Sequence, residues 1–398
     1  MTLKALAVRL IPPRFHGQAK DLSGRVHAVL RRAWARVPGD SRTFGPPRRL
    51  HPSWREPAAG AEVLCTLPGG ERPCAEPRDL AGGRPHWKFE RQPAARFEAT
   101  SLLSLRNCRL VGAEGAVIAG DDGLIGDLSQ EIGRRAGEHS LFASLRLPPP
   151  RRVEGTLFSL ATPSADNYYH WLFEALPRLR LLEEAGLPAD RIYARWAQPF
   201  QRETLALLGV GEERILAAGP DRHLAPDRLL QPTRIQAPTP WAVELLRRAI
   251  LPTDTGAPAP GAPRRLFITR NRGRYRRLLN EAEVLARLAP LGFTALPLEG
   301  RSVVEQARLF AGAELIVAPH GAALANLAFC APGARVVELF APGYVSALYW
   351  HLACLCGLDY AYLVGEGPLV QPGQPDAWRA DFLLDAARLA GALERRLG

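Results

Sequence analysis

From Arg264 to its C-terminus the chain repeats one pattern, in which a short apolar run of strand length is followed by an amphipathic run of helix length. RRLFITR, FTALPL, ELIVA and RVVELF read as strands. NEAEVLARLAPLG, SVVEQARLFAGA and YVSALYWHLACLCG read as helices. Few folds accept such alternation. It predicts a parallel sheet covered by helices on both faces, here a compact, doubly wound nucleotide-binding lobe over residues 264–398. The stretch LPTDTGAPAPGAP, residues 251–263, has Pro, Gly, Ala and Thr and no apolar period, and is expected to be a linker.

Residues 96–250 show the same alternation more loosely and are expected to form an N-terminal α/β lobe. Between Glu98 and Leu128, apolar runs separated by Gly and Asp suit a small meander of strands. VEGTLFSLATP reads as a buried strand. SADNYYHWLFEALPRLRLLEEAG reads as a helix started by Ser164, Asp166 or Asn167 and bent at Pro177. RIYARW and ERILAAG then flank helical PFQRETLALLG. Residues 1–95 are rich in Pro, Arg and Gly and read as a poorly patterned N-terminal extension. Inside it Leu22, Val26, Leu30, Ala33, Trp34 and Val37 share one helical face beside Arg25, Arg31, Arg32 and Arg36. The expectation is a docked amphipathic helix with a solvated basic edge; the alternative is peripheral contact with an anionic membrane surface.

A chain of 398 residues suits two domains, and 47% hydrophobic with 23% charged residues is the usage of a folded, water-soluble protein. The net charge of +11 invites a nucleic-acid reading. Yet Lys4, Lys20 and Lys88 are the only lysines, and Ala, Arg, Gly and Pro are abundant together, as in the codon bias of a GC-rich genome. No nucleic-acid partner is expected; an acidic substrate or a membrane surface remains open. Cys65, Cys74, Cys108, Cys330, Cys354 and Cys356 form no pair of C-x-x-C spacings and are expected to be reduced thiols. No segment approaches the roughly 20 apolar residues of a membrane span, and a cytoplasmic location, with the inner face of the cell membrane as its variant, is expected.

Three stretches carry chemistry. In ELIVAPHGAALANLAFCAPGARVVELF a strand ends at Pro319-His320-Gly321, and a helix starting at Gly321, Ala322 and Ala323 would present N–H groups to a phosphate. The bland alternative is a tight turn with a capping histidine. Glu338, ending the next strand, is a candidate acceptor for ribose hydroxyls or simply an exposed carboxylate. In FITRNRGRYRRLLNEAEV, Arg270 ends a strand and Arg272, Arg274, Arg276 and Arg277 crowd the next loop. Arginine offers permanent charge and a planar fork of donors, which suits a diphosphate without a metal. Asn280 and Glu281 follow, and also fit a plain helix start. In Asn167-Tyr168-Tyr169-His170-Trp171-Leu172-Phe173-Glu174, His170 and Glu174 lie one helical turn apart on one face, so either is a candidate base.

NYYHWLFEALPRL, TRNRGRYRRLLNE and APHGAALANLAFCAPGARVVEL, in this order, resemble the three signature stretches of glycosyltransferase family 61. The resemblance covers roughly residues 95–365. It implies two Rossmann-like lobes facing across a cleft, a GT-B-type glycosyltransferase fold. It also implies inverting transfer from a nucleotide sugar, with a UDP-sugar the first expectation, and no metal or other cofactor. The acceptor would be a glycan, a lipid-linked glycan or another hydroxyl, in surface polysaccharide synthesis. By position, His170 and Glu174 fall in the acceptor-side signature with Asn167 and Tyr169. Arg270, Asn280 and Glu281 fall in the donor loop, and His320, Gly321, Ala322, Asn326 and Glu338 in the nucleotide site. One departure is Glu174, where eukaryotic members usually carry Asp.

Other classes fit less well. No G-x-G-x-x-G links a strand to a helix, no P-loop occurs, and no Asp-x-Asp pair exists for a metal-dependent transferase. The remaining alternative is a catalytically inactive carbohydrate- or nucleotide-binding protein on the same fold.

Overall fold

The computed structural model describes residues 45–144, 146–251, 262–270, 273–367 and 379–397, together with Val29. The first strands are β1 (Arg49–His51), β2 (Ala61–Leu67), β3 (Gly70–Pro73), β4 (Arg78–Asp79) and β5 (Ala94–Phe97). Next come β6 (Thr100–Leu105), β7 (Arg109–Val111), β8 (Ala116–Ile118) and β9 (Gly123–Ile125). Four more follow: β10 (Arg151–Ser159), β11 (Arg191–Ala194), β12 (Ile215–Ala217) and β13 (His223–Pro232). The last five are β14 (Arg265–Ile268), β15 (Phe293–Leu296), β16 (Leu315–Pro319), β17 (Arg335–Phe340) and β18 (Asp359–Val364).

The later strands form a six-stranded sheet in the order β15-β14-β16-β17-β18-β4, and every pairing is parallel. Alternate residues on these strands face opposite layers. Leu266, Ile316, Ala318, Val336 and Phe340 join the main core, while Phe267, Val317, Val337 and Leu339 meet Val284, Leu288, Leu389 and Leu393 on the other face. Burial on both sides explains why each strand reads as an unbroken apolar run. The helix Val303–Ala311 starts at a capping box in which Ser302 and Glu305 satisfy each other's backbone N–H groups. β15 lies outside β14, so the strand order reverses between β14 and β16.

The earlier strands make a ten-stranded mixed sheet. β13, β10, β11 and β12 run parallel, and the meander β7-β8-β9 is antiparallel. The architecture is therefore mixed α/β with parallel sheets, as the alternation of patterns predicts.

Two expectations are corrected. Residues 49–97 are not a plain extension: they supply five strands, of which β1 and β2 join the ten-stranded sheet, β4 joins the six-stranded one, and β3 pairs with β5. Strands of two to seven residues, interrupted by Pro and Gly, are too short to display a period. Cys74 and Cys354 are not reduced thiols. They form a disulfide across a sequence separation of 280, with Cα atoms 5.5 Å apart, a pairing that local spacing could not reveal. Cys65, Cys108, Cys330 and Cys356 are free. The segment Leu22–Val37, apart from Val29, and residues 252–261 of the linker lie outside the described residues. Among the described residues no helix is long and apolar enough to cross a membrane.

Candidate functional site

In a doubly wound sheet, ligands bind beyond the carboxyl ends of the strands where the strand order reverses, because the connections there leave in opposite directions and open a crevice. Arg270 stands two residues past β14 and Gly321 two residues past β16, so they flank this point. The guanidinium of Arg270 lies against the Gly321 Cα: a Cβ there would overlap Nη1 and stand 3.0 Å from Cζ. Gly321 has extended backbone, φ 178°, so glycine is needed here for room. Arg270 is fixed from behind. Its N–H donates to Glu281 Oε2 at 3.2 Å and its Nε donates to the Tyr275 carbonyl at 3.2 Å. Burial, and then the charge of Arg276, lower its pKa.

The arginines of this loop divide. Arg276 sits over the rings of Tyr275 and Tyr344 at 5.1 and 4.7 Å, and its Nε is buried without a partner. It holds φ 56°, a left-handed conformation uncommon for a side-chain-bearing residue. Arg277 turns away to Asp381, which accepts from its Nη2 at 2.7 Å. Arg274 is exposed, and Arg272 lies outside the described residues. Burial raises the pKa of Glu281, whose carboxylate serves the Arg270 backbone. Asn280 bonds the backbone of Leu384 through both side-chain atoms, at 2.7 and 3.1 Å. Its amide braces the C-terminal segment.

His320 follows β16 directly. Its Nδ1 lies 2.5 Å from Glu338 Oε1, and the Tyr360 hydroxyl donates to Glu338 Oε2 at 2.5 Å. Glu338 is thus neither an exposed strand-end carboxylate nor open to a ribose. It is fully buried, both oxygens are occupied, and it orients the imidazole so that Nε2 points away from it. Phe340, Tyr344 and Tyr349 surround the ring at 5.4, 5.1 and 5.3 Å between centroids. Ala322–Phe329 is a 3₁₀ run rather than an α-helix. Asn326 in it is completely buried. Its Oδ1 accepts from the Tyr168 hydroxyl at 2.8 Å and its Nδ2 donates to Gln306 Oε1 at 2.9 Å. That amide links the six-stranded sheet to the segment bearing His170.

That segment is not one α-helix. Tyr168–His170 is α, Trp171–Ala175 is a π-turn, Leu176–Arg178 is 3₁₀, and Leu179–Ala185 is α again. Pro177 supplies no N–H to the ladder, and the wide turn precedes it. Asn167 caps the start, its Oδ1 accepting from the Tyr169 N–H at 3.0 Å. His170 and Glu174 share a face as their spacing predicts, with Nδ1 2.8 Å from Oε1. Arg178 locks the turn from inside. It donates to the Glu174 and Ala161 carbonyls at 2.9 and 2.8 Å, and burial brings its pKa down to about 10.

An aromatic path joins the two histidines. Tyr169 stacks on Phe173 at 5.3 Å and meets Tyr349 edge-on at 5.8 Å, and Tyr349 touches His320. The Tyr169 hydroxyl is buried without a partner; burial, and then the charge of Glu174, raise its pKa well above the ordinary value. Sequence pattern alone does not single out Tyr344, Tyr349 and Arg178. Aromatics crowded just past the end of β17, in GYVSALYW, are the signal that would have found the first two. Among the described residues no three His, Cys, Asp or Glu gather as a metal-binding group; the positive charge at the switch point is arginine.

No curated protein matches the chain. Residues 168–337 match the family model described as Glycosyltransferase 61. The matched segment contains the His170–Glu174 pair, the arginine loop, and His320 with Gly321. Over this region the chain is similar to glycosyltransferase family 61.

Proposed function

We propose that the chain transfers a sugar from a nucleotide-sugar donor, a UDP-sugar first, to a hydroxyl of a glycan or lipid-linked acceptor, with inversion and without a metal. The two sheets then act as two Rossmann-like lobes facing across a cleft in a GT-B-type arrangement, residues 96–250 on the acceptor side and 264–398 on the donor side. The observation carrying this reading is the Arg270 guanidinium seated on Gly321 at the switch point between β14 and β16. Doubly wound sheets take phosphates in this crevice, and a charged fork of donors there suits a diphosphate.

The chemistry follows from the two imidazole–carboxylate pairs. Glu174 accepts from His170 Nδ1, which leaves Nε2 to take the acceptor proton. The acceptor oxygen forms its bond to the anomeric carbon while the bond from that carbon to the diphosphate oxygen breaks. The electron pair leaves with the nucleoside diphosphate, where Arg270 and Arg276 neutralise the developing charge. A single displacement places nucleophile and leaving group on opposite faces of the sugar, hence inversion.

Titration calorimetry with nucleoside diphosphates tests the donor site. Arg270→Ala should lose about 1.5–3 kcal/mol, the range for charged hydrogen bonds, and unchanged affinity would refute the assignment. Turnover of nucleotide sugars should persist in excess EDTA. Loss restored by added magnesium or manganese would show that the leaving group needs a metal.

A further inference from the structure

A cavity of about 370 Å³ adjoins the donor site through Tyr344, which lines it while also touching His320 and carrying Arg276. One wall brings Lys88, Arg91 and Arg96, the other Ser346 and His351, with Gln236 at the rim. Among the described residues no carboxylate lines it. Among the described residues Lys88 and Arg91 pair with no carboxylate and rest on the Trp87 ring at 5.2 and 4.7 Å. Arg96 is bridged to Glu71 at 2.9 Å.

The basic wall is held in place before any ligand arrives. Phe89, on the same helical turn as Lys88, is buried against Trp350 and Tyr362 at 5.4 and 4.7 Å. His351 Nε2 donates to the Gln92 carbonyl at 2.9 Å, Trp350 Nε1 donates to the Ala75 carbonyl at 3.0 Å, and Cys74 is bonded to Cys354 on the opposing helix. Fixed cations in a concave, carboxylate-free site favour an anion without reorganisation. The wall comes from chain segments outside the nucleotide crevice, so its ligand is the second substrate.

We infer that this cavity is an acceptor subsite for a negatively charged glycan, one bearing a uronate or phosphate group that Lys88 and Arg91 receive. The inference rests on the donor-site reading above. Its test titrates a glucuronate-bearing tetrasaccharide, a phosphate-bearing one and their neutral counterpart into the full chain holding a nucleoside diphosphate. At least one charged probe should bind about 10-fold or more tightly than the neutral one, weaken with salt, and lose that advantage in the Lys88→Gln/Arg91→Gln variant. Which charged probe wins separates carboxylate from phosphate. Equal binding of charged and neutral probes, no binding of either charged probe at millimolar concentration, or an unaffected double variant overturns the subsite. Nucleoside diphosphate is titrated into the same proteins. If wild type fails to bind it, the donor-site reading falls; if it binds normally to both proteins while the glycan results fail, only the subsite falls.

Discussion

A single methyl group at Gly321 tests the donor site without removing any charge. Alanine takes the extended backbone of Gly321, φ 178°, unstrained. Its Cβ, however, would overlap Arg270 Nη1 and stand 3.0 Å from Cζ, with the Pro319 carbonyl 3.7 Å away. The carbonyl is at ordinary contact distance, so the guanidinium must yield. It is the far end of a flexible side chain and swings out, giving up its bond to the Tyr275 carbonyl. One such bond from a charged donor is worth about 1.5–3 kcal/mol of stability, and replacing glycine by alanine returns about 0.4–1 kcal/mol through the unfolded chain. The unfolding midpoint should therefore fall modestly, by the equivalent of roughly 0.5–2.5 kcal/mol. Nucleotide affinity should fall by the charged hydrogen bonds that leave with the guanidinium, about 1.5–3 kcal/mol or roughly 10- to 150-fold. Calorimetry on wild type, Gly321→Ala, Arg270→Ala and the double variant gives the decisive cycle. The double variant should bind no more weakly than Arg270→Ala, since both lesions remove one contact. Wild-type affinity in Gly321→Ala, or fully additive losses, would show that the guanidinium does not hold the nucleotide.

Three further outcomes are expected. His170→Gln should lower turnover at saturating donor by about 100-fold or more with nucleotide affinity intact, and Glu174→Gln should lower it less; near-full turnover in both would place the base elsewhere. Cys74→Ser should cost roughly 2–5 kcal/mol in urea unfolding while leaving nucleotide affinity unchanged, and an unmoved midpoint would mean the cross-link adds nothing. Burial lowers the pKa of His51, but its bonds to Asp121 at 3.0 Å and Glu56 at 3.2 Å outweigh this and leave it raised. The stabilisation is complete below the unfolded value of about 6.5 and fades as pH rises through the higher folded value. Stability of wild type should thus fall over that window more steeply than that of His51→Gln, and equal slopes would remove His51 from the account.

Legibility followed the length and burial of each element. β14, β16 and β17 are buried on both faces, so each reads directly as an apolar run, and the helices between them announce the crossovers. β13 is hard to read from sequence, since HLAPDRLLQP carries Pro226 and Pro232, which argue against a central strand. It is central all the same, and β10 shifts register between Val153 and Thr156, beside the Pro226 pairing, where the ladder is interrupted. β4, two residues long, has no pattern to read. In the site, the four-residue spacing of His170 and Glu174 predicted their contact, but the π-turn between them depends on Pro177 and on Arg178 reaching back to the Glu174 carbonyl. Glu338 was legible as a strand-end carboxylate only; that it faces a histidine 18 residues earlier follows from the parallel register of β16 and β17, which sets Glu338 beside Ala318.

The two histidine–carboxylate pairs are alike in geometry and unlike in setting. Glu338 is fully buried, with both oxygens committed to His320 and Tyr360, and His320 is packed between aromatic rings beside Arg270 and Gly321. The His170 side chain is 36% exposed and Glu174 is held at one oxygen, which favours His170 over His320 as the proton acceptor of the proposed reaction and leaves His320 to position the donor.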